Sequence, residues 1–397
     1  MSEKRRDNKN RILRTGESQR KDGRYAYKYI DTFGKPQFVY SWKLVPTDKT
    51  PAGKRDDIAL REKEKEIQKD LDDGIDHIGK KMTVCQLYAK QIRHRGNVRY
   101  NTKNGRKRLM KLLEEDKLGG CPIDSVKLSD AKEWAIRMKE KGISYKTISN
   151  DKRSLKAAFY TAIQDDCIRK NPFDFQLNTV IEDDTEPKVP LTPAQEESFL
   201  SFAQNDKVYQ KYYDELIILL GTGLRISELC GLTDTDINFE NRIINVDHQL
   251  LRSAETGYYI ETPKTKSGIR QIPMSEKVYE AFNRVLKRRR GAKAVTIDGY
   301  SNFLFLNRDG YPKTATNYDG MFRGLAKKYN KYHEEALPKV MTPHTLRHTF
   351  CTNMANAGMN PKALQYIMGH SNITMTLNYY AHATFDSAKA EMLRMAA

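Results

Sequence analysis

Residues 341–351 read MTPHTLRHTFC, and the C-terminal half of the chain turns on how that stretch is read. Thr342 fits an N-cap and Pro343 the first helical position, so a helix starts here and His344 lies in its first turn. Leu346, Phe350 and Ala357 recur at helical spacing as a buried stripe, which leaves His344, Arg347, His348 and Cys351 pointing roughly the other way. Two histidines four apart are a zinc spacing. Here, however, Arg347 stands where a zinc hydrolase of that pattern carries a glutamate, and no third ligand or general-base carboxylate lies nearby. The unpaired N–H groups and positive dipole end of a helix start suit an oxyanion, whereas Arg347 repels a cation. The stretch predicts an anion site with no metal.

Two neighbouring stretches extend it. Upstream, LIILLGTGLRISELCGL (216–232) ends one apolar helix at Gly221-Thr222-Gly223 and starts another, with Arg225 at the junction. A guanidinium amid apolar residues is costly without an anion. Glu228 is one candidate partner, as a structural salt bridge, and a bound anion is the other. Downstream, YIMGHSNITMTLNYYAH (366–382) places His370 just after an apolar helix and the adjacent Tyr379 and Tyr380 near the end of the chain. Two arginines, two histidines and a tyrosine can clamp a phosphate and move protons around it.

Composition agrees. The chain has 397 residues and a net charge of +18, the signature of a protein that meets polyanions. Residues 1–55 alone carry 15 Lys/Arg against 6 Asp/Glu, half of the net surplus. Five scattered cysteines (Cys85, Cys121, Cys167, Cys230, Cys351) offer neither a disulfide framework nor a Cys-x-x-Cys zinc pair, so they are expected as buried thiols. No run of about 18 apolar residues is present, and the polar start MSEKRRDNKN is unlike a signal peptide, so a cytoplasmic chain is expected.

Along the chain, RYAYKYI (24–30) and FVYSWKL (38–44) alternate strictly, separated by turn residues. With RILRT (11–15) before them they predict a three-stranded antiparallel sheet. Tyr25, Tyr27 and Tyr29 share one face, and Phe38, Tyr40, Trp42 and Leu44 share one. The expected sheet has an apolar side, covered by a helix over 57–72 carrying Ile58, Ile67 and Leu71, and a basic side that suits a DNA groove. Arg24, Lys28 and Lys43 are its candidate DNA contacts. Four segments with helical periodicity follow: TVCQLYAKQI, the segment around RKRLMKLLEEDK, LSDAKEWAIRMKEKG and SYKTISNDKRSLKAAFYTAIQDD. A linker is expected over 174–190. Thr192-Pro193-Ala194-Gln195 then opens a mostly helical domain, interrupted by short strands near 242–246, 258–262 and 269–273. The predicted architecture is multidomain and mainly α, with a small N-terminal β-sheet plus helix (1–75), a helical domain (82–180) and a mixed α/β domain (190–397).

The boxes G-T-G-L-R-I-S-E-L, H-T-L-R-H-T-F and G-H-S-N-I-T-M-T-L-N-Y-Y-A-H, in that order, resemble those of the tyrosine recombinases, the phage-lambda-type integrases. The basic N-terminal sheet resembles the arm-binding domain of integrases from conjugative transposons. The resemblance implies arm-binding, core-binding and catalytic domains, and a site-specific recombinase that integrates and excises a mobile element through a 3′-phosphotyrosine, with no metal, cofactor or ATP. Arg225 and Arg347 would bind the non-bridging oxygens of one DNA phosphate, His344 would serve as general base or acid, and His370 would hydrogen-bond the phosphate. The proton donor would be a lysine in a β-hairpin, for which IETPKTKSGIRQIPM (260–274) offers Lys264 and Lys266; the Lys-Thr pattern favours Lys264. For the nucleophile, Tyr380-Ala381-His382 matches a Tyr-x-His ending and favours Tyr380, with Tyr379 the alternative. The 144–159 helix resembles one that lies along DNA, which makes Lys146, Lys152, Arg153 and Lys156 candidate phosphate contacts.

By resemblance the partners are double-stranded DNA at core and arm sites, a homotetramer on DNA, an excisionase and a host DNA-bending protein, in a bacterial, nucleoid-associated setting. The tail DSAKAEMLRMAA (386–397), with Ala388, Met392 and Leu393, would dock on a neighbour. Two other functions share some of these features: relaxation of DNA by a type IB topoisomerase, and DNA binding without catalysis.

Overall fold

A computed structural model describes residues 4–32, 34–77, 79–96, 98–186, 189–263, 265–289, 295–380 and 392–393. Lys264, Ala381, His382, Ala388 and most of the 386–397 tail lie outside the described residues. The chain forms two compact units, Met1–Glu186 and Pro187–Ala397. Among the described residues no helix is long and apolar enough to cross a membrane.

The first unit opens with an antiparallel sheet of β1 (Glu17–Gln19), β2 (Tyr25–Ile30) and β3 (Pro36–Ser41), in that order. Its first strand is ESQ rather than RILRT, whose Ile12 makes only an isolated bridge to Arg6. The pairing Lys28↔Phe38 and Ala26↔Tyr40 decides the faces, because directly opposed residues point to the same side. Phe38 is therefore exposed beside Lys28, and Arg24 lies 5.5 Å from the Tyr40 ring centroid and 5.7 Å from that of Trp42. The open face is thus basic, as expected, and aromatic as well. Tyr25 and Leu44 are buried with Leu60 of α1 (Leu60–Asp72), whereas Ile58, expected in the covering helix, precedes it and is exposed.

Glu64 of α1 is buried against Glu17 of β1. Burial and that second carboxyl push Glu64 up to about 7, and one of its oxygens has no hydrogen-bond partner among the described residues. A folded-state pKa above the unfolded value stabilises the fold below that unfolded value, and the contribution is lost as pH rises through about 7. Glu64→Gln, which imitates the protonated form, is expected to slow amide exchange in β1 and α1 at pH 8 and to change little at pH 5. Equal protection of the two proteins at pH 8 would refute this.

Four helices follow: α2 (Val84–His94), α3 (Tyr100–Glu114), α4 (Leu128–Glu140) and α5 (Tyr145–Gln164), where the apolar periodicity places them. Thr83 and Gln86 start α2 with a reciprocal capping box. Trp134, Phe159 and Phe173 fill the core, with ring centroids 5.7 and 5.4 Å apart, each worth about 1.5–3 kcal/mol of burial. The segment after α5 is strapped to it: Lys152 bonds the Phe175 carbonyl, and Lys156 pairs with Asp174 at 2.5 Å.

The second unit contains α6 (Pro193–Asn205), α7 (Tyr213–Thr222), α8 (Ile226–Gly231), five short strands, and then α9 (Glu276–Arg289), α10 (Ala315–Tyr332), α11 (Pro343–Asn356), α12 (Pro361–Met368) and α13 (Thr374–Leu377). The strands are β4 (Ile237–Asn238), β5 (Ile243–Val246), β6 (Gln249–Ser253), β7 (Gly257–Glu261) and β8 (Arg270–Pro273), in sheets β4-β5-β8 and β6-β7. Residues 260–274 are thus no hairpin. β7 pairs with β6, for which Gly257 at φ 71° shapes the turn, and β8 pairs with β5, where Ile272 opposes the buried Ile244. Helix α11 is enclosed on most sides, so Arg347 and Cys351 are buried along with Leu346 and Phe350, while Ala357 lies exposed at its C-cap.

Candidate active site

The site begins where α7 must stop. Gly223 takes the left-handed conformation at φ 63°, and a Cβ there would lie 2.4 Å from Phe350, so only glycine fits. Two residues later Arg225 is the N-cap of α8, and Glu228 reaches back to its N–H at 2.8 Å. That turn points the guanidinium of Arg225 towards the end of α12. One nitrogen donates to Glu228 Oε1 at 2.7 Å and the other to the carbonyl of Gly369 at 3.0 Å.

Arg347 occupies the next position. It donates to the carbonyls of Gly223 and Met368, at the C-terminal ends of α7 and α12, where the helix dipoles favour a cation. Burial and the neighbouring Arg225 push its pKa down to about 9. Gly369, at φ 60°, ends α12 and turns the chain into His370. His370 is buried, its Nδ1 3.0 Å from the Thr376 hydroxyl. Burial, then Arg347 and Arg225, lower its pKa to about 4, so it is a neutral imidazole near pH 7.

The residue pattern did not single out Arg270. It binds both oxygens of Glu228, at 3.1 and 2.9 Å, and donates to the Ile367 carbonyl at 2.6 Å. One buried side chain therefore joins β8 to α8 and to the end of α12. A signal was present: on β8 Arg270 shares the inward face of Ile272, a position where an unpaired charge is expensive. Burial raises the Glu228 pKa, but Arg270 outweighs it and the carboxyl is held at about 2. Among the described residues the cluster holds three guanidiniums against one carboxylate.

On α11, His344 is exposed in the first turn, and its ring stands edge-on to that of His348 with centroids 5.2 Å apart. The adjacent tyrosines go separate ways. Tyr379 Oη is 2.7 Å from His348 Nδ1, and burial pushes its pKa up to about 12. Tyr380 instead donates its hydroxyl to the Met359 carbonyl. Lys266 is exposed in a helical turn, Lys266–Gly268, that packs on the end of α12, since a Cβ on Gly369 would lie 3.0 Å from the Ser267 carbonyl.

Of the DNA-contact candidates, Lys28, Lys146 and Arg153 are exposed. Arg24 is paired with Asp22, and Lys43 with Asp56 at 2.8 Å. Lys152 and Lys156 hold the 174–175 segment, which explains their place on the helix without a phosphate.

Residues 190–387 match the model of the phage integrase family, and residues 1–71 match that of the DNA-binding domain of Tn916 integrase. The transposase from transposon Tn916 of Enterococcus faecalis is 71% identical over 395 residues, which cover 100% of this chain and 97% of that one. Among solved structures, residues 82–397 of the Tn1549 transposon integrase carrying R225K, in complex with a circular intermediate DNA, match at 78% identity with a TM-score of 0.76, covering 79% of this chain and 99% of that one. The Y379F form of the same integrase, in complex with transposon right end DNA, matches at 78% identity with a TM-score of 0.75, covering 80% of this chain and 100% of that one. The chain belongs to the phage integrase family and is a site-specific tyrosine recombinase, which breaks and rejoins DNA strands through a phosphotyrosine intermediate.

Proposed function

We propose that the chain integrates and excises a mobile element, with Arg225 and Arg347 clamping the scissile phosphate, Tyr379 attacking phosphorus and Lys266 protonating the departing 5′ oxygen. The carrying observation is the excess of cations: among the described residues, Arg225, Arg270 and Arg347 surround one carboxylate, Glu228. A phosphate seated on Arg225 and Arg347 relieves that excess, and the charge that grows on its oxygens in the pentacoordinate transition state is stabilised most. His370 Nδ1 lies 3.0 Å from the Thr376 hydroxyl; in the tautomer that accepts there, Nε2–H is left to donate to a phosphate oxygen. His344, at the N-terminus of α11, supplies a second donor.

Tyr379 is favoured over Tyr380 because its hydroxyl lies on the helix that carries Arg347, while that of Tyr380 is spent on a backbone carbonyl. The substitutions R225K and Y379F in the DNA complexes of the Tn1549 integrase fall on the same two positions. Lys266 is favoured over Lys264 because its turn packs on Gly369, whose carbonyl holds Arg225. A bridging 5′-phosphorothiolate has a leaving group that needs no proton, so it is expected to restore cleavage by Lys266→Ala to near the wild-type rate. Restoration of Lys264→Ala, with Lys266→Ala active on ordinary DNA, would move the role to Lys264.

The two separate apolar cores of the first unit support an arm-binding region at 1–75 and a core-binding region at 82–180, ahead of the catalytic region at 190–397. On DNA the active form is a homotetramer. An excisionase and a DNA-bending protein set the direction, in the bacterial cytoplasm on the nucleoid. Incubation with supercoiled DNA carrying two transposon ends is expected to yield recombinant junctions. Relaxed circles without junctions would overturn this reading.

A further inference from the structure

We infer that His348, not His344, is the general base of strand cleavage, taking the phenolic proton of Tyr379 at Nδ1. The inference rests on Tyr379 as the nucleophile. His348 Nδ1 lies 2.7 Å from Tyr379 Oη, with the two ring centroids 5.4 Å apart. Burial raises the phenol's pKa to about 12, so near neutral pH it keeps its proton, and in the Nε2–H tautomer of His348 the lone pair on Nδ1 accepts from it. This is the geometry a base needs: the acceptor is already on the proton that must leave. The His344 and His348 rings are T-shaped to one another, 5.2 Å between centroids, and His344 stands at the exposed helix start, where a phosphate donor belongs.

As Oη bonds to phosphorus, the phenolic proton passes to Nδ1 and His348 becomes an imidazolium. The bond from phosphorus to the 5′ oxygen breaks, and that oxygen takes a proton from the lysine ammonium. Ligation runs the same transfers backwards, with His348 returning the proton to the tyrosine oxygen. The two proton transfers fall on opposite sides of the phosphorus and are separable by experiment.

The test follows covalent adduct formation by the full chain on a nicked recombination site, with either an ordinary phosphate or a bridging 5′-phosphorothiolate at the cleavage point. His348→Ala and the bulkier His348→Gln, which accepts a hydrogen bond but no proton, are each expected to lose about 10²–10⁴-fold on both substrates. Gel-shift affinity for the same DNA is expected to match wild type, which shows the variants folded. Cleavage by His348→Gln within threefold of wild type would overturn the assignment. So would restoration by the phosphorothiolate, which would place His348 on the leaving-group side. Peptide mapping of the wild-type adduct separates the two readings. An adduct on Tyr380 overturns the nucleophile itself, whereas an adduct on Tyr379 with an unimpaired His348→Gln overturns only the base.

Discussion

Tyr379→Phe is expected to abolish the covalent protein–DNA adduct on a nicked recombination site, a loss of at least about 10³-fold, while Tyr380→Phe keeps it. The two residues are neighbours, yet their hydroxyls meet different surroundings. That of Tyr379 is bonded to His348, one residue after Arg347 on α11. That of Tyr380 donates to the carbonyl of Met359, in the loop between α11 and α12. Tyr380→Phe therefore removes one hydrogen bond from a half-buried site, at a cost of about 0.5–1.5 kcal/mol of stability. Denaturing gels of the two variants on trapped DNA decide the matter. Adducts from Tyr379→Phe, or none from Tyr380→Phe in a protein that still binds DNA, would exchange the roles.

Arg270→Ala is expected to cost about 3–5 kcal/mol of stability, because it leaves the Glu228 carboxylate buried with half its partners gone. For a unit of this size that lowers the melting temperature on the order of 10 °C. Cleavage falls as well: Glu228 holds Arg225 at 2.7 Å, and Arg270 also fixes the Ile367 carbonyl just ahead of Gly369 and His370. Arg270→Lys keeps the charge but loses the planar fork that spans both oxygens, so it is expected to recover only part of either property. The Glu228 carboxyl sits at about 2, below its unfolded value of 4.5. Its contribution is thus complete above that unfolded value and fades as pH falls towards about 2, so the gap between wild type and Glu228→Gln narrows in acid. Melting curves near pH 7 and pH 3 measure both effects. A melting temperature of Arg270→Ala within a degree or two of wild type would show that Glu228 does not need this partner.

Much of the site was legible in local sequence because local rules build it. Gly223 ends α7 by tolerating a left-handed turn, Glu228 three residues beyond Arg225 closes a capping box, and Thr342-Pro343 starts α11 so that His344 and Arg347 share its first turns. Each of these depends on hydrogen bonds within a few residues, so spacing alone reveals it. The helices α2–α5 were legible for the same reason, since a 3.6-residue stripe marks the face that must be buried.

Other features depended on partners distant in sequence. Residues 260–274 carry a hairpin's turn residues, yet β7 took β6 and β8 took β5, because burying Ile272 against Ile244 outweighed the local turn. Alternation over 38–44 grouped Phe38, Tyr40, Trp42 and Leu44, yet Leu44 is buried with Tyr25, and only the register with β2 set the other three beside Arg24 and Lys28. The role of Arg270 is invisible locally because its partners, Glu228 and Ile367, lie 42 and 97 residues away. Between Tyr379 and Tyr380, a motif ending in Tyr-x-His favoured the second. Successive residues in a helical turn point about 100° apart, so one of two adjacent hydroxyls reaches α11 and the other a loop. Local sequence was enough for the fold class, the helix starts and stops around Arg225 and Arg347, and the residues that compete for each role. Tertiary packing decided which hydroxyl meets His348 and which carbonyls and carboxylate hold the guanidiniums, because those choices rest on burial and pairing across the whole unit.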